Sequence, residues 1–252
     1  MPASVSASEI QHTLDQEKQR AAATALRWVR EGMVLGLGSG STAAHFITHL
    51  GEQVRGGLRV QATATSRASE MLARRAGIPL LEPRRGLRFD LTVDGADELD
   101  PHLRLTKGGG GALLREKVLA TASNYLLIVA DSSKAVAQLG RFPLPLEVVL
   151  FALPWVLDAV AALGGAPVVR TNKEKAGELV LSDQGNLLVD CHFEIISDPE
   201  RLAAQLQLIP GIVEQGLFIG LARAAVVAQG QQVQVWRAGV EPVDAENFTE
   251  LP

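Results

Sequence analysis

Through its first 130 or so residues the chain alternates short apolar runs with helical stretches, and this alternation limits the fold more than any other feature. MVLGL (33–37), LRVQATA (58–64), LRFDLTV (87–93) and YLLIVA (125–130) have strand length and strand composition. Before and between them, residues 9–30, AAHFITHL, SRASEMLARRAG and ALLREKVLATAS carry apolar residues at helical spacing, with Gly32 and Gly77 as stops. Strands that alternate with helices predict a parallel sheet covered on both faces.

Near Phe142 the rhythm breaks. FPLPLEVV carries two prolines and opens a second pattern: a strand (146–150), a helix (154–163), strands at 167–171, 178–182 and 186–191, and a helix (198–208). SDQGN is a hairpin turn, because Gly and Asn accept positive φ. In SDPE, Asp198 caps a helix with Pro199 in its first turn. IVEQGLF (212–218) and AAVVA (224–228) lead back to the main sheet. The expected fold is α/β: a Rossmann-like parallel-sheet domain (1–141 and 213–252) with a smaller inserted α+β, ferredoxin-like domain (142–212).

The 252 residues carry a net charge of −4 and no strongly basic segment, which argues against a nucleic-acid partner. Arg74, Arg75, Arg84, Arg85 and Arg88 read as a solvated surface, with a phosphate-attracting rim as the secondary reading. Cys191 is the only cysteine, so no intrachain disulfide forms, and it reads as a small buried residue. No apolar run reaches the roughly 18 residues of a spanning helix. The start, MPASVSASEI, has neither a charged n-region nor an apolar h-region. The expectation is a cytoplasmic protein with no membrane partner.

Four segments carry chemistry. Gly36-Leu37-Gly38-Ser39-Gly40-Ser41-Thr42 follows a strand and opens a helix. It lacks the third glycine of a dinucleotide loop and the lysine of a P-loop. It offers hydroxyls and backbone N–H groups at the positive end of a helix, which suits a single phosphate, although a tight turn without ligand has the same pattern. Asp94-Gly95-Ala96-Asp97-Glu98 follows an apolar strand, where α/β sheets place ligands; an Asx-type turn is the alternative. Lys107 heads four glycines, Gly108 to Gly111, whose entropic cost makes sense where backbone must approach a ligand. Glu116, between Arg115 and Lys117, is either one of a solvated charge trio or an inward base. Ser132-Ser133-Lys134 ends a further strand, and its lysine is a phosphate contact or a surface residue. Each segment lies beyond the carboxyl end of an expected parallel strand or on the loop or helix that follows. Together they converge on one crevice suited to proton transfer on a small phosphorylated carbonyl compound. His45 and His49 lack the partners of a metal site, so no metal is expected.

GLGSGSTAAHFI, DGADE, KGGGGALLREK, DSSK, FPLPLEV and GLF, in this order and spacing, closely resemble the ribose-5-phosphate isomerase A family, from about Glu17 to Ala228. The resemblance implies an aldose–ketose isomerase that interconverts ribose 5-phosphate and ribulose 5-phosphate through an enediolate, without cofactor, in the non-oxidative pentose phosphate pathway. It implies that Glu116 is the general base, that Asp94 and Asp97 lie near the sugar hydroxyls, and that Lys107 stabilises the oxyanion. Ser39, Gly40, Ser41 and Thr42 form the implied phosphate loop, with Lys134 and Lys18 approaching the substrate. Gly95, Ala96, Gly108, Gly109 and Gly110 complete the implied substrate-binding set. A dimer or tetramer is expected from the same resemblance. A sugar-phosphate sensor would add a DNA-binding helix-turn-helix, and a nicotinamide-dependent dehydrogenase needs a glycine at position 41; neither fits this chain.

Overall fold

The computed structural model of the chain describes residues 7–172, 175 and 177–248. The first part runs α1 (Ala7–Ala25), β1 (Val34–Leu37), α2 (Ser41–Arg55), β2 (Gln61–Ala64), α3 (Arg67–Ala76), β3 (Leu91–Asp94), β4 (Glu98–Leu99), β5 (Leu105–Thr106), α4 (Leu113–Thr121) and β6 (Leu126–Asp131). The middle runs β7 (Leu144–Val148), α5 (Leu153–Ala162), β8 (Ala166–Val169), β9 (Leu187–His192), α6 (Pro199–Gln207) and β10 (Ile212–Gln215). β11 (Leu217–Phe218), β12 (Ala222–Gln229), β13 (Gln232–Arg237) and β14 (Val240–Asp244) follow.

The largest sheet has the order β14-β13-β12-β6-β3-β1-β2. Its pairs from β12 to β2 are parallel, and β13 and β14 extend it antiparallel. Successive residues of β6 feed opposite cores, as strand alternation requires. Leu127 and Val129 pack with Phe46 and Ile47 of α2 and Ala21 and Ala22 of α1. Leu126, Ile128 and Ala130 pack with Leu99, Leu105, Phe218 and Ala120. One face is thus covered by helices, as expected. The other is covered by α4 and by a small three-stranded sheet, β11-β5-β4.

A four-stranded antiparallel sheet, β10-β7-β9-β8, carries α5 and α6 on the strand–helix–strand–strand–helix–strand order of a ferredoxin-like unit. Three expectations change here. IVEQ does not return to the main sheet: as β10 it pairs with β7, Ile212 opposite Val148, and covers an edge that would otherwise stand open. Residues 178–182 do not form a ladder. Leu179 and Leu181 make only isolated bridges and are exposed, so no buried face fixes a register. The glycine run follows β5, a two-residue antiparallel strand rather than a parallel one.

Candidate active site

The glycine- and serine-rich segment 38–42 leaves the buried strand β1, and α2 begins at Ser41. Gly38 is required by close approach: a Cβ there would strike the Asp94 side chain and backbone. Gly40, with φ +92°, turns the chain into the helix in a conformation that favours glycine. The Gly38 N–H donates to the Val93 carbonyl at 2.9 Å and the Ser39 N–H to Asp94 Oδ1 at 3.0 Å, so the loop is tied to β3. The Ser39 hydroxyl lies 2.8 Å from Thr65 Oγ1, and Ser69 Oγ donates to the Gly38 carbonyl at 2.7 Å. Thr65, just past β2, and Ser69 of α3 support the loop, and no motif had marked them.

Lys107 is the hub. Its buried Nζ lies 2.9 Å from Asp94 Oδ2 and 3.4 Å from Glu116 Oε1, and it donates to the Gly95 carbonyl at 2.7 Å. The ammonium also stands 5.4 Å from the centre of the Phe218 ring. Burial opposes the lysine charge, yet Asp94 and Glu116 outweigh it and hold its pKa above the usual lysine value.

Glu116 is buried, not one of a solvated trio. Leu113, Glu116 and Ala120 fall three and four apart on the inward face of α4, and that spacing was the available signal. Its neighbour Lys117 turns to Glu214, 2.8 Å away. Burial pushes the Glu116 carboxyl up to about 8; Lys107 opposes the rise, and Asp94 and Asp97 add to it. Its Oε2 accepts from no group among the described residues. A base held ready near neutral pH has this environment.

Asp97 Oδ2 accepts the Gly109 N–H at 2.7 Å. Its pKa is raised by burial, against the pull of the Gly109 N–H, Lys107, Lys134 and Arg170. A cavity of about 180 Å³ is lined by Ser39 to Thr42, Gly95 to Asp97, Lys107 to Gly110, Glu116 and Lys134. It is smaller than the roughly 300–1,000 Å³ of drug-sized sites, as a small metabolite requires.

Two expected residues are not on its lining. Asp94 lies behind it, with Oδ1 accepting from the Ser39 and Gly95 N–H groups and Oδ2 facing Lys107; it links the loop to the lysine. Lys18 lies on α1, 4.0 Å from Asp131. Its neighbour Glu17, missed in the sequence, is buried and accepts from the Ser132 N–H and hydroxyl and from the Gly230 N–H, so it fixes the turn that carries Lys134. Among the described residues no three His, Cys, Asp or Glu side chains are grouped to hold a metal.

The sequence matches the family model for ribose 5-phosphate isomerase A (phosphoriboisomerase A) over residues 61–232. It is 51% identical over 229 residues to the ribose-5-phosphate isomerase A of Nitrobacter hamburgensis, spanning 88% of this chain and 98% of that protein. It is 48% identical over 230 residues to that of Bradyrhizobium diazoefficiens, spanning 88% and 95%. Among solved structures, ribose 5-phosphate isomerase A from Methanocaldococcus jannaschii superposes with a TM-score of 0.84 at 36% identity, covering 88% of this chain and 99% of that one. A D-ribose-5-phosphate isomerase in complex with phospho-erythronic acid gives 0.85 at 33%, covering 89% and 99%. With a family model spanning most of the sequence and relatives matched along nearly their whole length, the chain belongs to the ribose-5-phosphate isomerase A family.

Proposed function

We propose that this chain interconverts D-ribose 5-phosphate and D-ribulose 5-phosphate through an enediolate, as an aldose–ketose isomerase that needs no cofactor. One observation carries the reading: the buried Glu116–Lys107 pair and the hydroxyl-rich loop at the start of α2 line the same small cavity. The relative solved with phospho-erythronic acid, a phosphorylated sugar acid, supports a sugar phosphate as the ligand class.

The loop from Ser39 to Thr42 and the Lys134 ammonium hold the phosphate. Asp97, its carboxyl inclined to keep a proton, serves the sugar hydroxyls and ring opening. Glu116 takes the C2 proton of the open-chain aldose; the electron pair moves to the carbonyl oxygen and an enediolate forms. A proton passes between O2 and O1, and Glu116 returns its proton to C1, which gives the ketose. Lys107 stabilises the charge on oxygen, a contribution that mutagenesis of such donors puts at about 10²–10³ in kcat. Asp94 holds Lys107 and the loop in register.

We also propose a larger unit of residues 1–141 and 216–252 and a smaller one of residues 142–215, with the second boundary moved because β10 pairs with β7. The exposed Phe151, Trp155 and Leu208 support a homodimer or homotetramer. The single buried cysteine suits a cytoplasmic setting, with the pentose phosphate pathway as the role. The chain mixed with ribose 5-phosphate, without added metal or nucleotide, is expected to form ketose. A preparation that folds and forms none overturns the reading.

A further inference from the structure

Arg170 lies just past β8, in the unit built on the four-stranded sheet, yet its guanidinium reaches the glycine run. Its Nη1 donates to the Gly109 carbonyl at 3.0 Å and to the Gly108 carbonyl at 3.4 Å, and its Nη2 reaches the Gly108 carbonyl at 3.4 Å. The other edge of the fork is held by Asp190: Nε donates to Oδ2 at 2.8 Å and Nη2 to Oδ1 at 2.5 Å. Asp190 stands opposite Val168 in the β8–β9 ladder, so Arg170, two residues further on, is its diagonal neighbour on one face. The bidentate carboxylate fixes the plane of the guanidinium.

The consequence follows from peptide geometry. A trans peptide is planar, so a carbonyl and the N–H that follows it point in opposite directions. With the Gly108 carbonyl on Arg170, the Gly109 N–H turns the other way, where Asp97 Oδ2 accepts it at 2.7 Å. With the Gly109 carbonyl on Arg170, the Gly110 N–H also turns away from Arg170. Gly110 lines the cavity, with nothing within 4 Å of where a side chain would begin. Glycine backbone left alone samples many conformations; here one guanidinium sets two successive peptide planes.

We propose that Arg170, held by Asp190, is a positioning residue for isomerisation: it fixes the peptide planes that hold Asp97 and turn the Gly110 N–H toward the reacting sugar. The proposal rests on the isomerase reading. The test is steady-state kinetics on D-ribose 5-phosphate with wild type, Arg170→Met, Arg170→Lys and Asp190→Asn, each first checked by circular dichroism and thermal melting. A misplacement of about 1 Å can cost on the order of 10²-fold. Arg170→Met is therefore expected to lose about 10- to 100-fold in kcat with KM within about threefold of wild type. Arg170→Lys keeps the charge but not the planar fork, and is expected to stay within about threefold of Arg170→Met. A purely structural role lowers the melting temperature and spares kcat. Folded Arg170→Met with wild-type kcat, or Arg170→Lys that restores it fully, overturns the proposal. If Arg170→Met does not fold, Asp190→Asn carries the test: a loss of kcat of about threefold or more at unchanged KM supports it, and unchanged kcat overturns it. An inactive wild type ends the isomerase reading and this inference together. An active wild type matched by its variants ends this inference alone.

Discussion

Residues 38–42 and residues 107–111 both bring glycine-rich backbone to one cavity, but the first segment is held by the main sheet and the second by side chains. The first sits between a buried parallel strand and a helix, and its first two N–H groups are tied to β3: Gly38 to Val93, Ser39 to Asp94. The second leaves a two-residue strand in the middle of the small three-stranded sheet. It is fastened by Lys107 N–H on the Gly216 carbonyl, by Asp97 on the Gly109 N–H and by Arg170 on two carbonyls. On the proposed mechanism, strand topology sets where the anion goes, whereas separate side chains set where the proton moves. Damage near the first segment is expected in KM and damage near the second in kcat.

The largest expected effect is at the base. Glu116→Gln is expected to lower kcat by about 10³-fold, inside the 10²–10⁴ range of a positioned acid–base group, with KM little changed. Near-normal turnover by that variant removes the assignment. Next comes Gly109→Ala. Its Cβ would lie 2.6 Å from Asp97 Oδ1 and 2.9 Å from the Phe142 ring, so Asp97 must shift. A loss of about 10²-fold in kcat is expected. Gly110→Ala, which meets nothing within 4 Å, is expected to melt at the wild-type temperature. If Gly109→Ala keeps full kcat, the segment does not depend on its tethers as described.

A smaller effect belongs to the anion end. Lys134→Ala is expected to raise KM about tenfold, the loss of one charge-assisted contact, with kcat within about threefold. A loss confined to kcat would erase the contrast between the two segments. The smallest effect is on stability. Folded Glu116 holds its proton more tightly than the unfolded chain, because its carboxyl is pushed up to about 8. Its contribution is therefore most favourable at low pH and declines as pH rises from the ordinary glutamate range to about 8, then levels off. Denaturant unfolding of wild type against Glu116→Gln is expected to show this decline only in wild type. The acid limb of kcat/KM is expected in the same window, and a limb near the ordinary glutamate value of about 4.3 contradicts it.

What the sequence disclosed was local. Gly38 and Gly40 after an apolar run, the DGAD segment and the four glycines after Lys107 each announce a backbone demand that one stretch of chain can express. What stayed hidden depends on register between distant strands. Arg170 and Asp190 are ordinary charged residues at the margins of apolar runs, and only the β8–β9 ladder makes them a pair. Glu17 was masked by the charged face of α1 around it, though it reaches the turns at Ser132 and Gly230. Glu116 was ambiguous because Arg115 and Lys117 flank it, while its spacing from Leu113 and Ala120 already turned it inward. Asp94 was legible as important but not as lying behind the cavity, because its role is set by Lys107, which arrives from another strand.

The order of the largest sheet has a bearing on how the protein is made. β12 pairs directly with β6, near the middle of the sheet, although the whole of the four-stranded unit is synthesised between them. At roughly 5–20 residues per second, a ribosome leaves the largely apolar strand Leu126–Asp131, buried along its whole length in the fold, without its neighbour for several seconds. An unpaired strand of that character is a template for pairing with other chains. Nascent protein halted before Ala222 is thus the species for which chaperone capture matters most, and the emergence of Ala222–Gln229 is the step that seals the seam.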